Sequence, residues 1–161
     1  MRDRRFVAVH RGGPLDGAKH RLLAAWAADC AEHLLPLFEE CSPDDRPRRA
    51  VQTARAWVRD EASVGDCQKA ALGAHAAARS VTSKSATAAA RAAGHAVATA
   101  HMADHSLGPV IYGQKAIEAA GGLIDAERGW QLERLPDELR ELVESALQRR
   151  RAGTAPDRGG R

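Results

Sequence analysis

The sequence predicts an all-α fold, a compact alanine-rich bundle of about six to seven helices, and three observations carry that reading. Alanine supplies 34 of the 161 residues, against two Phe and one Tyr, so helix formers abound and strand formers are scarce. Apolar residues recur three and four positions apart over several stretches, the period of an amphipathic helix. Proline, glycine and serine collect between those stretches as punctuation. The length suits one core. No run of 18 or more apolar residues is present, and Met1-Arg-Asp-Arg-Arg-Phe6 lacks an apolar signal region; neither a membrane span nor secretion is expected, and the expected location is cytoplasmic.

The elements follow in order. Residues 1–17 are expected as an extended arm and loop, because Phe6-Val-Ala-Val9 is the lone strand-like segment and has no partner. A single helical domain is expected over residues 18–148. Its first helix covers residues 19–40, with Asp16 and Gly17 as cap candidates and Leu23, Trp26, Ala27, Cys30 and Leu34 on one face. Pro36 removes a backbone bond inside that run, so a kink or break is expected near Leu34 and Leu35. Pro47 opens a second helix to about Glu61, with Val51, Ala54, Trp57 and Val58 inward. Ser63-Val-Gly-Asp66 has capping-box spacing and opens a third helix to about Arg79.

After a polar break at residues 80–85, a fourth, alanine-rich helix is expected over residues 86–104. Gly108-Pro109 starts a fifth, ended by Gly121-Gly122 in the left-handed cap position. Residues 125–135 and 137–148 give two more, and the Arg- and Gly-rich residues 149–161 read as a disordered tail. Small residues on facing helices permit close approach of the helix axes, which makes a tight bundle the natural solution.

Charge is unevenly placed. Residues 1–11 carry a net +3 and residues 149–161 a net +4, which leaves −4 on residues 12–148 out of the overall +3. A net positive charge confined to the ends, without aromatic platforms there, argues against nucleic acid as a partner. The three cysteines, Cys30, Cys41 and Cys67, have no CxxC or zinc-finger spacing and read as small hydrophobes or bystanders.

Few motifs carry chemistry. Gly12-Gly-Pro-Leu-Asp-Gly17-Ala-Lys19 superficially has phosphate-loop spacing, but Lys19 does not follow Gly17 directly and His20 stands where Ser or Thr would hold magnesium. Among seven histidines, His101 and His105 have the i, i+4 spacing that could grip a divalent metal on one helical face. His95, six residues earlier, would face elsewhere on an undistorted helix. Asp104, Cys30 and His33 complete the candidate cluster by tertiary placement alone. The alternative for these histidines is hydrogen bonding at helix interfaces. No HExxH, G-x-S-x-G or nucleophile dyad is present, so no catalytic residue is assigned and no cofactor is required. Asp29, Glu32 and His33 on the first helix and Asp60, Glu61 and Asp66 around the second junction are general acid–base candidates only at suitable separations, and a solvated or interhelical salt-bridge role is expected for them. Trp26, Trp57 and Trp130 are candidates for the core or, where exposed, for interface anchors.

The run His10-Arg-Gly-Gly-Pro-Leu15, then Arg21-Leu-Leu-Ala-Ala-Trp-Ala-Ala-Asp-Cys-Ala-Glu-His33 and Leu35-Pro-Leu-Phe38, carries a resemblance. Arg46-Pro-Arg, Ala54-Arg-Ala-Trp57, Ala74-His-Ala-Ala-Ala-Arg79 and Ala92-Ala-Gly-His-Ala-Val-Ala-Thr-Ala-His-Met-Ala-Asp-His105 extend it. Over about residues 9–120 the chain resembles the immunity-protein-five-like family of bacterial immunity proteins. The resemblance implies an all-helical protein that neutralises a cognate toxin by stoichiometric binding, and it brings no catalytic residues with it. The Arg-rich C-terminal tail departs from the family pattern. An acidic body would suit a basic toxin. The rival class is a small metal- or His-dependent enzyme or accessory protein that acts on a small molecule through His95, His101 and His105. The sequence is compatible with a homo-oligomer.

Overall fold

The computed structural model describes residues 2–154. Among them eight α-helices follow one another: α1 Gly17–Glu32, α2 Leu35–Glu39, α3 Arg46–Val58, α4 Val64–Arg79, α5 Lys84–Ala98, α6 Gly108–Ala119, α7 Ile124–Glu133 and α8 Asp137–Thr154. The all-α bundle is as expected. No helix is long and apolar enough to cross a membrane among the described residues.

Local chemistry sets most boundaries. The Asp16 carboxylate accepts from the Lys19 amide and caps α1. Pro36 falls in the first turn of α2, and the expected break lies at His33 and Leu34. Ser63 and Asp66 form a reciprocal capping box on α4. Helix α3 ends at Val58, before the expected Glu61, because Asp60 takes a left-handed φ of 61°. Gly121, at φ 82°, closes α6.

Two apolar layers hold the bundle together. In the first, α5 is the central helix and packs on α1, α2, α3, α4 and α6. It is paved by Ala86, Ala89, Ala90, Ala92, Ala93 and Ala96, all solvent-inaccessible. Methyl-sized side chains let neighbouring backbones approach closely. In the second, Leu23, Trp26 and Cys30 of α1 meet Leu107, Val110, Leu139 and Val143, each side chain contributing roughly 1.5–3 kcal/mol if it is as large as Val or Leu.

Three expectations change. The N-terminal segment is not an extended arm: residues Arg4–Phe6 and Val9–Arg11 coil into short 3₁₀ turns, and Phe6 and Leu15 are each 3% exposed in the second layer. The Arg5 guanidinium donates to Ser145 Oγ at 2.7 Å and ties the segment to α8. The fourth expected helix ends at Ala98 rather than near Asp104. His20 explains this end, since its Nε2 bonds the Thr99 carbonyl at 2.6 Å and satisfies one of the acceptors that a helix C-terminus leaves open. Residues 149–154 continue α8 rather than starting a tail, while residues 155–161 lie outside the described residues.

Candidate functional site

Because α5 stops at Ala98, the following residues turn back as the 3₁₀ turn Ala103–Leu107 before α6 begins. His101 and His105 therefore do not share a helical face, and the premise of an i, i+4 pair on one helix is corrected. The turn instead carries His105 onto His95, whose Nδ1 atoms lie 3.1 Å apart. One neutral imidazole donates and the other accepts. His75 of α4 meets His95 edge-on at 5.3 Å between ring centroids, and His101 lies 5.3 Å from His105. Four imidazoles thus form one row, His75, His95, His105 and His101.

Glycine makes room for this row. A Cβ at Gly94 would lie 2.7 Å from the His75 ring, and one at Gly108 would land on the His95 ring. Tyr112 of α6 stacks over His95 at 5.2 Å. Burial disfavours charge on every member. It pushes His95 down to about 4, reinforced by the neighbouring imidazoles of His105 and His75. Burial likewise lowers His75, His101 and His105, with Asp104 opposing the shift at His105.

The row floors part of a surface groove. A cavity of about 360 Å³ is lined by His95, His105, Tyr112 and Lys115 together with Asp104 and Arg150. Tyr112 and Lys115 also line a cavity of about 450 Å³ beside it, with Lys84, Arg91 and Glu118. Arg2, Asp104 and Arg150 continue into a cleft of about 770 Å³ that also holds Arg4, Arg5 and Arg149. The three spaces are adjacent and share wall residues. The Lys115 ammonium sits 5.1 Å over the Tyr112 ring. Lys84, Arg91 and Lys115 have no ion pair among the described residues. Asp104 is salt-bridged to Arg2 at 3.5 Å.

Cys30 and His33 are elsewhere. Cys30 is solvent-inaccessible in the second apolar layer, where burial raises its thiol. The His33 ring stacks on Trp130 at 3.8 Å and its Nε2 lies 3.1 Å from Glu127 Oε2. Glu127 is 4% exposed, and its other oxygen accepts from Gln131 Nε2 at 3.2 Å. This second polar cluster clamps α1 to α7. Trp26 is a core residue, 1% exposed, with Nε1 donating to the Gln131 carbonyl at 2.8 Å, so it is no surface anchor. Trp57 and Trp130 are half-buried beneath Arg21 and Arg134. Among the described residues no group of three or more His, Cys, Asp or Glu gathers closely enough to hold a metal ion.

Sequence reasoning missed His75, Tyr112, Lys115 and Arg91 as parts of one site. The available signal was Gly94, a lone glycine inside an alanine-rich helical run where alanine would be the better helix former.

The profile of the family described as Imm-5 like putative immunity protein matches residues 13–138, more than three quarters of the chain. The chain belongs to this Imm-5-like family. The match spans α1 to α7 and thus includes the whole histidine row, Tyr112 and Lys115 of this immunity-family protein. Arg2, Arg4, Arg5 and the arginines of α8 lie outside it. No curated protein and no solved structure matches the chain.

Proposed function

We propose that this protein acts as an immunity protein by binding a cognate toxin stoichiometrically, with the groove between α5, α6 and the end of α8 as the contact surface. The observation that supports this most is the adjacency of three cavities that share Tyr112, Lys115, Arg2 and Arg150 as wall residues. A protein inhibitor needs a rigid surface with an aromatic anchor and oriented charges rather than a reactive centre. Tyr112 supplies the anchor, held against His95, and α5 beneath it is the most enclosed helix of the bundle. The cationic groove replaces the acidic body as the steering surface, so the expected toxin contact is acidic rather than basic.

The test is co-expression with any toxin encoded next to this gene. Protection by the wild-type chain and copurification as a 1:1 complex are the expected results. A toxin that kills equally with and without the protein, and that does not copurify, overturns the proposal.

One observation favours a second reading, a metal- or histidine-dependent activity on a small molecule. The 3.1 Å between the Nδ1 atoms of His95 and His105 is close to the roughly 3.3 Å separating two ligands on one tetrahedral zinc ion, given metal–nitrogen bonds of about 2.0–2.1 Å. Elemental analysis of the purified, untagged protein and of the His95→Ala/His105→Ala variant separates the two. Near-stoichiometric metal in the first and none in the still-folded second would favour this reading.

A further inference from the structure

We infer that the groove takes an acidic segment of the partner protein, one rich in Asp and Glu. The inference rests on the toxin-binding reading above and adds the chemistry of the bound segment. Its first support is charge. Lys84 and Arg91 on α5 and Lys115 on α6 line one cavity and have no carboxylate partner among the described residues. On the opposite side of Tyr112, Arg2 and Arg150 line the adjoining space, and Arg4, Arg5 and Arg149 line the next. Side chains far apart in the chain converge here, as in the Arg149 contact with Asp3 at 3.4 Å. Eight cationic side chains thus line the three cavities, Arg2 paired with Asp104 and Arg5 and Arg149 with Asp3, so that cations outnumber the carboxylates among them.

Its second support is what interrupts those cations. Glu118 lies in the first cavity, Asp104 in the second, and Asp3 with Asp104 in the third. A nucleic-acid strand carries a negative charge at every step, about 3.4 Å apart, and would meet each of these carboxylates with another anion. A polypeptide varies its side chains residue by residue and can set a neutral or basic residue at each carboxylate. Aromatic character points the same way, because among the described residues Tyr112 is the one Phe, Tyr or Trp lining the first two cavities, whereas single-stranded nucleic acids are held on several stacking platforms. The neutral histidine row under Tyr112 adds hydrogen-bonding imidazole edges without adding fixed charge.

The experiment uses the full-length protein and three probes: a decapeptide of glutamates, a decapeptide of lysines and a 12-nucleotide single-stranded DNA. Titration by fluorescence anisotropy at low salt is run on the wild type, on Lys84→Glu/Lys115→Glu and on Lys69→Glu. Lys84 and Lys115 are exposed, so their reversal leaves the core untouched, and Lys69 is an exposed control on α4 outside the groove. The expected result is binding of the glutamate peptide that weakens by at least about tenfold in the double variant, an effect of about 1.4 kcal/mol, with no change in Lys69→Glu. Tighter binding of the DNA than of the glutamate peptide overturns the inference, as does peptide binding that the double variant leaves unchanged. Should the toxin bind the double variant as tightly as the wild type, this inference fails while toxin binding stands. Should no toxin bind at all while the glutamate peptide does, the toxin-binding reading fails and the groove's preference stands.

Discussion

On α3 all four arginines have carboxylate partners: Arg46 with Asp44, Arg48 with Glu39, Arg49 with Asp45, and Arg55 with Asp29 and Glu32 of α1. On α5 and α6, Lys84, Arg91 and Lys115 have none among the described residues. Within the first set Arg48 and Arg55 join α3 to α2 and α1, Arg46 and Arg49 pair with the two aspartates just before α3, and all four are neutralised by their partners. The second leaves its charge available to a partner. The difference shows that net charge by segment is a poor guide to a binding face, because ion pairing removes the acidity of Asp29, Glu32, Glu39, Asp44 and Asp45 from the field that a partner meets.

The largest expected effect separates the two faces by binding. Lys84→Glu/Lys115→Glu is expected to weaken toxin binding by about two orders of magnitude, roughly 2.7 kcal/mol, whereas Arg49→Glu on the ion-paired face changes it less than about threefold. Calorimetric titration of both variants checks this, and equal losses would erase the distinction between the faces.

Next comes the floor of the groove. Gly108→Ala puts a methyl group on the His95 ring and is expected to destabilise the fold by about 1–3 kcal/mol. Gly129→Ala, in α7 with open space around it, is expected to stabilise by about 0.5–1 kcal/mol. Denaturant midpoints of opposite sign relative to wild type are the expected outcome.

The faces also titrate apart. Histidines held below their ordinary 6.5 in the fold favour the neutral native state, so their contribution is fully present above pH 6.5 and is lost as pH falls from there toward about 4, where His95 itself charges. His95 faces His75, His105, Tyr112, Arg91 and Arg150, so no carboxylate rescues its charged form. On α3 the sign is the same but the window lies lower: the Arg46 and Arg48 partners lower Asp44 and Glu39 below their ordinary 3.8 and 4.5, and that contribution is present above those values and lost only below them. Urea unfolding between pH 7.5 and 4.5 is expected to show a decline that His95→Gln reduces and Arg48→Gln leaves in place.

The smallest effect belongs to the ion-paired face itself. Arg55→Ala is expected to cost no more than about 1 kcal/mol, since the pair with Asp29 and Glu32 is partly exposed and solvent-screened. Thermal unfolding measures it. A larger loss would mean that α1 and α3 depend on that bridge rather than on alanine and valine packing.

Some of the candidate site was legible and some was not. His95, His101, Asp104 and His105 were singled out together and do meet, but through a chain reversal rather than along one helix. Cys30 and His33 were grouped with them and lie apart, since α1 turns those residues toward α7. No glycine or proline stands between Ala98 and Leu107 to announce the end of α5, and the group that ends it, His20, is 79 positions away from Thr99. Basic residues at the two ends likewise gave no sign of meeting.

What the sequence by itself determined is local: the all-α class, the caps at Asp16, Ser63 and Asp66, the break before Pro36 and the left-handed stop at Gly121. Each rests on backbone geometry or on hydrogen bonds between residues a few positions apart, so residue order is enough. The tertiary structure decided the histidine row, its glycine cradles and the adjacency of the cavities that form the cationic groove. Those depend on which helix faces meet and on carbonyl groups satisfied by distant side chains, and no period or spacing along the chain encodes such meetings.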